Sequence, residues 1–92
     1  MNLIPSAFTK RGFSHREIER RGDWRIYERK GHGKAHFEVV KITSHNGYTV
    51  AGVHIPSSEV YPSSSTWGIY GFTIPTLQSA LQKLDDAAKG YP

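Results

Sequence analysis

The chain has 92 residues, with 12 Lys and Arg against 8 Asp and Glu, five His and no Cys. This length sets one domain whose core is one layer deep, and the lack of Cys excludes disulfides, thiolate zinc sites and thiol nucleophiles, as suits a reducing cytoplasm. No apolar run approaches a membrane span, and Met1-Asn2-Leu3-Ile4-Pro5 is too short and broken for a signal peptide.

Charge is unevenly placed. Ten of the basic residues precede His45, against five acids, whereas Lys83 and Lys89 face Glu59, Asp85 and Asp86 in the remainder. Such asymmetry favours a nucleic acid or a nucleic-acid-bearing protein as partner. On charge alone, a merely solvated surface is an equal reading.

Residues 1–12 show no clear period and are punctuated by Pro5 and Gly12, so they read as a flexible arm carrying Lys10 and Arg11. Residues 13–92 form the domain. Ser14-His15-Arg16-Glu17 has the form of a capping box, but a helix there would have only Ile18 to bury. Alternation accounts for it better, with Arg16, Ile18 and Arg20 on one face and Glu17 and Glu19 on the other. Arg21-Gly22-Asp23 then turns into a strand over Trp24 to Arg29. Lys30-Gly31-His32-Gly33-Lys34 is a second turn, and Ala35 to Thr43 the strongest strand. Ser44-His45-Asn46-Gly47 ends it, Tyr48 to Ile55 extends again, and Pro56 stops that segment or restricts it to an edge. Ser57 to Thr66 reads as a loop and Trp67 to Thr73 as a strand, where Gly68 and Gly71 admit a close neighbour. Thr73 is the expected cap of a helix from Pro75 to Lys89, whose structural face is Leu77, Leu81 and Leu84. The expected fold is α+β: an antiparallel sheet of about four strands with one C-terminal helix packed on one face.

The chemistry-bearing patterns are few. His32 and His36 lie four apart, but a Gly-rich turn separates them and no acid completes a metal set. Ser63, Ser64 and Ser65 lack a nucleophile-elbow context, adjacent Asp85 and Asp86 do not share a helix face, and Gly31-His32-Gly33-Lys34 is too short to cradle a phosphate. Neither an enzyme nor a cofactor or metal site is expected. Basic and aromatic residues instead coincide. On the strand from Trp24, Arg25, Tyr27 and Arg29 share one face, joining two forked cations to a ring that can stack on a base. The expected contact set is Lys10, Arg11, Arg16, Arg20, Arg21, Arg25, Tyr27, Arg29, Lys30 and Lys34. The competing arrangement puts Tyr27 in the core and pairs the arginines with Glu17, Glu19 and Glu28 across strands. Trp24, Trp67 and Phe72 are assigned to the core.

The runs Gly22-Asp23-Trp24-Arg25-Ile26-Tyr27-Glu28-Arg29, His36-Phe37-Glu38-Val39-Val40-Lys41-Ile42 and Tyr61-Pro62-Ser63-Ser64-Ser65-Thr66-Trp67-Gly68, with the helix, resemble small phage-encoded proteins. The layout is also similar to strand-rich, single-helix domains of transcriptional-coactivator type, which hold single-stranded DNA on a curved sheet. In length, charge and want of enzyme motifs, the chain resembles type I-F anti-CRISPR proteins. That resemblance implies an inhibitor in the host cytoplasm that binds the crRNA-guided surveillance complex, contacts Cas subunits and crRNA, and blocks target DNA hybridisation. A phage single-stranded nucleic-acid-binding or transcription accessory protein is the alternative.

Overall fold

The computed structural model describes residues 1–90; Tyr91 and Pro92, the end of the expected domain, lie outside them. The architecture is α+β. An antiparallel sheet of five strands carries β1 (Ala7–Lys10), β2 (Phe13–Arg21), β3 (Trp24–Gly31), β4 (Lys34–Lys41) and β9 (Gly71–Ile74), in the order β1-β2-β3-β4-β9. Two short ribbons lie outside it. β5 (Thr43–His45) pairs with β8 (Ser58–Val60), and β6 (Tyr48–Val50) pairs with β7 (Val53–Ile55). Helix α1 (Leu77–Ala88) packs across β3 and β4.

Tight turns explain the meander. Arg11 and Gly12 (φ +54° and +80°) join β1 to β2, and His32 and Gly33 (φ +54° and +76°) join β3 to β4. Two consecutive residues with positive φ match the twist of a hairpin, and glycine takes the second position without strain. The expected N-terminal arm is therefore partly an edge strand. Its signal was the Arg11–Gly12 turn, which makes Ala7–Lys10 a partner for Phe13–Arg16.

Strand β2 carries a bulge between Glu17 and Glu19. The expected face of Arg16, Ile18 and Arg20 is thereby broken. An extra residue shifts the alternation, so Arg20 lies opposite Arg25 on the side of Glu17. There its guanidinium donates to both Glu17 oxygens at 2.9 and 2.8 Å.

The two faces of the sheet are covered by different means. On one, Ile26, Val39, Ala80 and Leu84 form a core joined by Ile18, Trp24, Phe37, Ile74 and Leu81. Of the expected helix face, Leu84 is buried and Leu81 packs against the core, but Leu77 is 43 % exposed, and Ala80 and Ala87 complete the buried stripe. On the other face Tyr27, Val40 and Ile42 pack with Ile4, Phe8, Tyr61 and Trp67. The face of Arg25, Tyr27 and Arg29, expected to be open, is thus roofed by the N-terminal segment and the loop around Tyr61. Roofing both faces is how so short a chain withdraws more apolar surface from water.

The second half departs most from expectation. The run to Thr43 breaks at Ile42, whose amide bonds the Asp23 carbonyl at 2.8 Å. Ser44 and His45 continue as β5, Tyr48 to Ile55 folds back on itself, and the expected loop contains β8. Trp67 to Thr73 is not one strand: a short 3-10 turn at Ser64–Thr66 precedes it and only Gly71 onward joins the sheet. Thr76, not Thr73, caps α1, accepting from the Ser79 amide at 3.3 Å.

Candidate anion-binding cleft and basic pole

Antiparallel register brings His15, Arg29 and Glu38 together on three neighbouring strands. His15 lies opposite Arg29, and Glu38 lies opposite Tyr27 and Thr73. The buried Glu38 carboxylate accepts from the Tyr61 hydroxyl and forms an ion pair with the Arg29 guanidinium at 3.3 Å. His15 Nε2 is 3.6 Å from the same carboxylate, and Nδ1 lies 3.2 Å from the Phe13 carbonyl. The imidazole stacks on Phe8, with centroids 4.6 Å apart. Burial, reinforced by the bond to Glu38, pushes the Tyr61 phenol far above its ordinary range. Tyr61 is therefore a neutral donor, and Glu38 has a polar partner at each oxygen.

A second polar group lies deeper. Arg25 is 3 % exposed and donates to the Tyr27 hydroxyl at 3.2 Å and to Glu59 at 2.6 Å. Burial opposes the charge on Glu59, but bonds from the Ile4 amide and from Arg25 outweigh it and hold that carboxyl below its ordinary value. Tyr27 is wholly buried, so no face of its ring is open to a base. Arg25 and Tyr27, expected as phosphate anchor and stacking platform, are interior groups.

The remaining predicted cations divide by pairing. Arg16 holds Glu28 across the strands at 3.2 Å, Lys30 reaches the same carboxylate at 3.6 Å, and Arg20 grips Glu17. Arg21 pairs with Asp85 of α1. Among the described residues, Lys10, Arg11 and Lys34 take part in no such pair, although all three are exposed. Topology gathers them. β1 and β3 run toward one end of the sheet, where Lys10-Arg11 and the His32–Gly33 turn sit side by side. Phe13 joins the two turns: its ring lies against Gly31 and meets His32 with centroids 5.1 Å apart. The result is a basic pole of Lys10, Arg11, Lys30 and Lys34.

Beside this pole opens a cleft of about 560 Å³. Lys10, Arg11 and Arg29 supply positive charge, and Phe13, Tyr61 and Trp67 supply aromatic wall. Lys10 Nζ stands 5.9 Å from the Tyr61 centroid, and the Arg29 guanidinium lies 4.8 Å from that of Phe13. Sequence patterns missed His15, Glu38, Tyr61 and Trp67 here. The loop around Tyr61 was legible, but its landing place on Glu38 was not, because no local period encodes a contact 23 residues away.

Among the described residues no group of three His, Asp or Glu is placed to hold a metal ion. No helix among them is long and apolar enough to cross a membrane. Compared with protein-family models, with curated proteins and with solved structures, the chain matches none.

Proposed function

We propose that the protein is a non-enzymatic, phage-encoded inhibitor that docks on a host crRNA-guided CRISPR-Cas surveillance complex in the cytoplasm. It contacts Cas subunits and crRNA and blocks target DNA hybridisation. The observation that carries the docking half is the basic pole, where Lys10, Arg11 and Lys34 carry charge that no carboxylate among the described residues neutralises. Unpaired, exposed cations at one end of a sheet favour an anionic surface and steer encounter with it. The choice of complex rests on the sequence resemblance to type I-F anti-CRISPR proteins. A channel that holds DNA is itself cationic, so the pole must meet exposed guide RNA or acidic protein patches.

The test compares binding to the assembled complex with binding to naked guide RNA and free oligonucleotides. The proposal expects tight binding to the complex and weak binding to the free strands. The double variant K10E/K34E is expected to weaken docking by about tenfold or more, since each substitution removes a charge-assisted bond to an anionic group of the partner. R16Q/E28Q, which removes both members of an ion pair and leaves the net charge unchanged, is expected to change little. Tight binding to free oligonucleotides with indifference to the complex overturns the inhibitor reading in favour of a single-strand-binding protein.

A further inference from the structure

We propose that the cleft beside the basic pole is a mononucleotide site, taking one phosphate and one planar base. Its charged lining is three cations to one carboxylate. Lys10, Arg11 and Arg29 carry positive charge, and Ser63 and Ser64 add hydroxyls. The single carboxylate, Glu38, is already engaged by Arg29 and Tyr61. A donor-rich lining calls for an acceptor-rich ligand, and an anion meets the excess of charge. Arg29 also keeps a buried Nε with no partner, so the donors here exceed the acceptors the chain itself provides.

The lining has a second character. Tyr61 and Trp67 present aromatic rings beside these donors, and Trp67 is held by a 3.0 Å bond from its indole nitrogen to Thr73. A preset ring is the surface on which a nucleobase stacks. The volume falls within the range of small-ligand sites and exceeds what a bare phosphate fills. The phosphate therefore belongs at Lys10 and Arg11, and the base against Trp67, with Ser63 and Ser64 near its edge. The ligand is either a free nucleoside phosphate or one nucleotide of a strand. The proposal rests on the nucleic-acid reading of the pole for its biological source, yet the two fail separately.

The test is a titration of the whole protein, followed by amide and indole nitrogen–proton resonances, with four probes: inorganic phosphate, adenosine, adenosine 5′-monophosphate and a short single-stranded tetranucleotide. The expected result is displacement of the Trp67 indole and the Ser63 and Ser64 amides by the monophosphate, the tetranucleotide or both. A response to both marks a general nucleotide site; a response to the tetranucleotide alone marks a strand site. The variant K10E/R11N is expected to weaken binding about tenfold, whereas K89E, at the C-cap of α1 and outside both the cleft and the pole, leaves it unchanged. Asn is chosen because it tolerates the positive φ of Arg11. Equal displacement by phosphate alone reduces the cleft to an anion patch and overturns the proposal. So does an unmoved Trp67 with every probe. Docking on the surveillance complex without nucleotide binding would leave the proposed function standing and remove this site; nucleotide binding without docking would do the reverse.

Discussion

Arg25 and Glu59 meet at 2.6 Å on a face of the sheet that the N-terminal segment covers. Glu59→Ala strands the guanidinium without a counter-charge and takes the acceptor from the Ile4 amide. The expected cost is about 3 kcal/mol, the low end for a broken buried pair because Glu59 keeps some access to water, read from urea denaturation. Replacing both partners by Met and Leu is expected to recover much of that loss, since nothing charged then remains interior. The carboxylates also set the acid limit of stability. The bond from Arg20 holds Glu17 below its ordinary value of 4.5, and Glu59 is lowered too. A depressed carboxyl contributes stability that is complete above 4.5 and is lost as pH falls through its lower folded value, because the unfolded chain then binds more protons. Urea midpoints are therefore expected to hold steady down to about pH 5 and to decline below about 4.5, less steeply in Glu17→Gln.

At the scale of elements, the contact between Gly71 and Trp67 fixes how β9 enters the sheet. A Cβ on residue 71 would collide with the Trp67 indole, and the residue is buried. Gly71→Ala is expected to destabilise by about 1–3 kcal/mol, as overpacking does, and to shift the near-ultraviolet signal of Trp67. The helix, β2, β3 and β4 were legible because their periods of 3.6 and 2 extend over whole elements. Gly71 was legible too, as a place of close approach. The bulge at Ile18 was not, because one inserted residue leaves the composition of a strand unchanged while reversing the faces beyond it. Nor were β5 and β8, three residues each, since a strand so short has no period to show. Tyr27 was legible only as an alternative. Alternation put it on a face with Arg25 and Arg29, and the roof over that face depends on Ile4, Phe8 and Tyr61, remote in sequence.

For the molecule as a whole, formal charge overstates what a partner meets. The charge of +4 is spread over cations of which Arg16, Arg20, Arg21, Arg25 and Arg29 are matched to carboxylates within the fold. Of the cations that remain, Lys10, Arg11 and Lys34 cluster at the pole while Lys41, Lys83 and Lys89 lie apart on β4 and α1, so the effect of a charge reversal depends on position more than on number. The β6–β7 ribbon contrasts with it. Tyr48, Val50 and Val53 are all more than half exposed, and from Ile42 to Ser58 the chain has no Asp, Glu, Lys or Arg. A two-stranded ribbon without further cover is marginal in water and opens locally. Proteases would register this as a difference of chemistry. Trypsin has no site between Lys41 and Lys83, so it must pass over the weakest part of the fold. Chymotrypsin, which cuts after aromatic residues, is expected to nick first at Tyr48 and much later at the enclosed Tyr27, with peptide masses identifying the cut. A chain that resists one enzyme and yields to the other would owe the difference to an uncharged hairpin, not to the stability of its core.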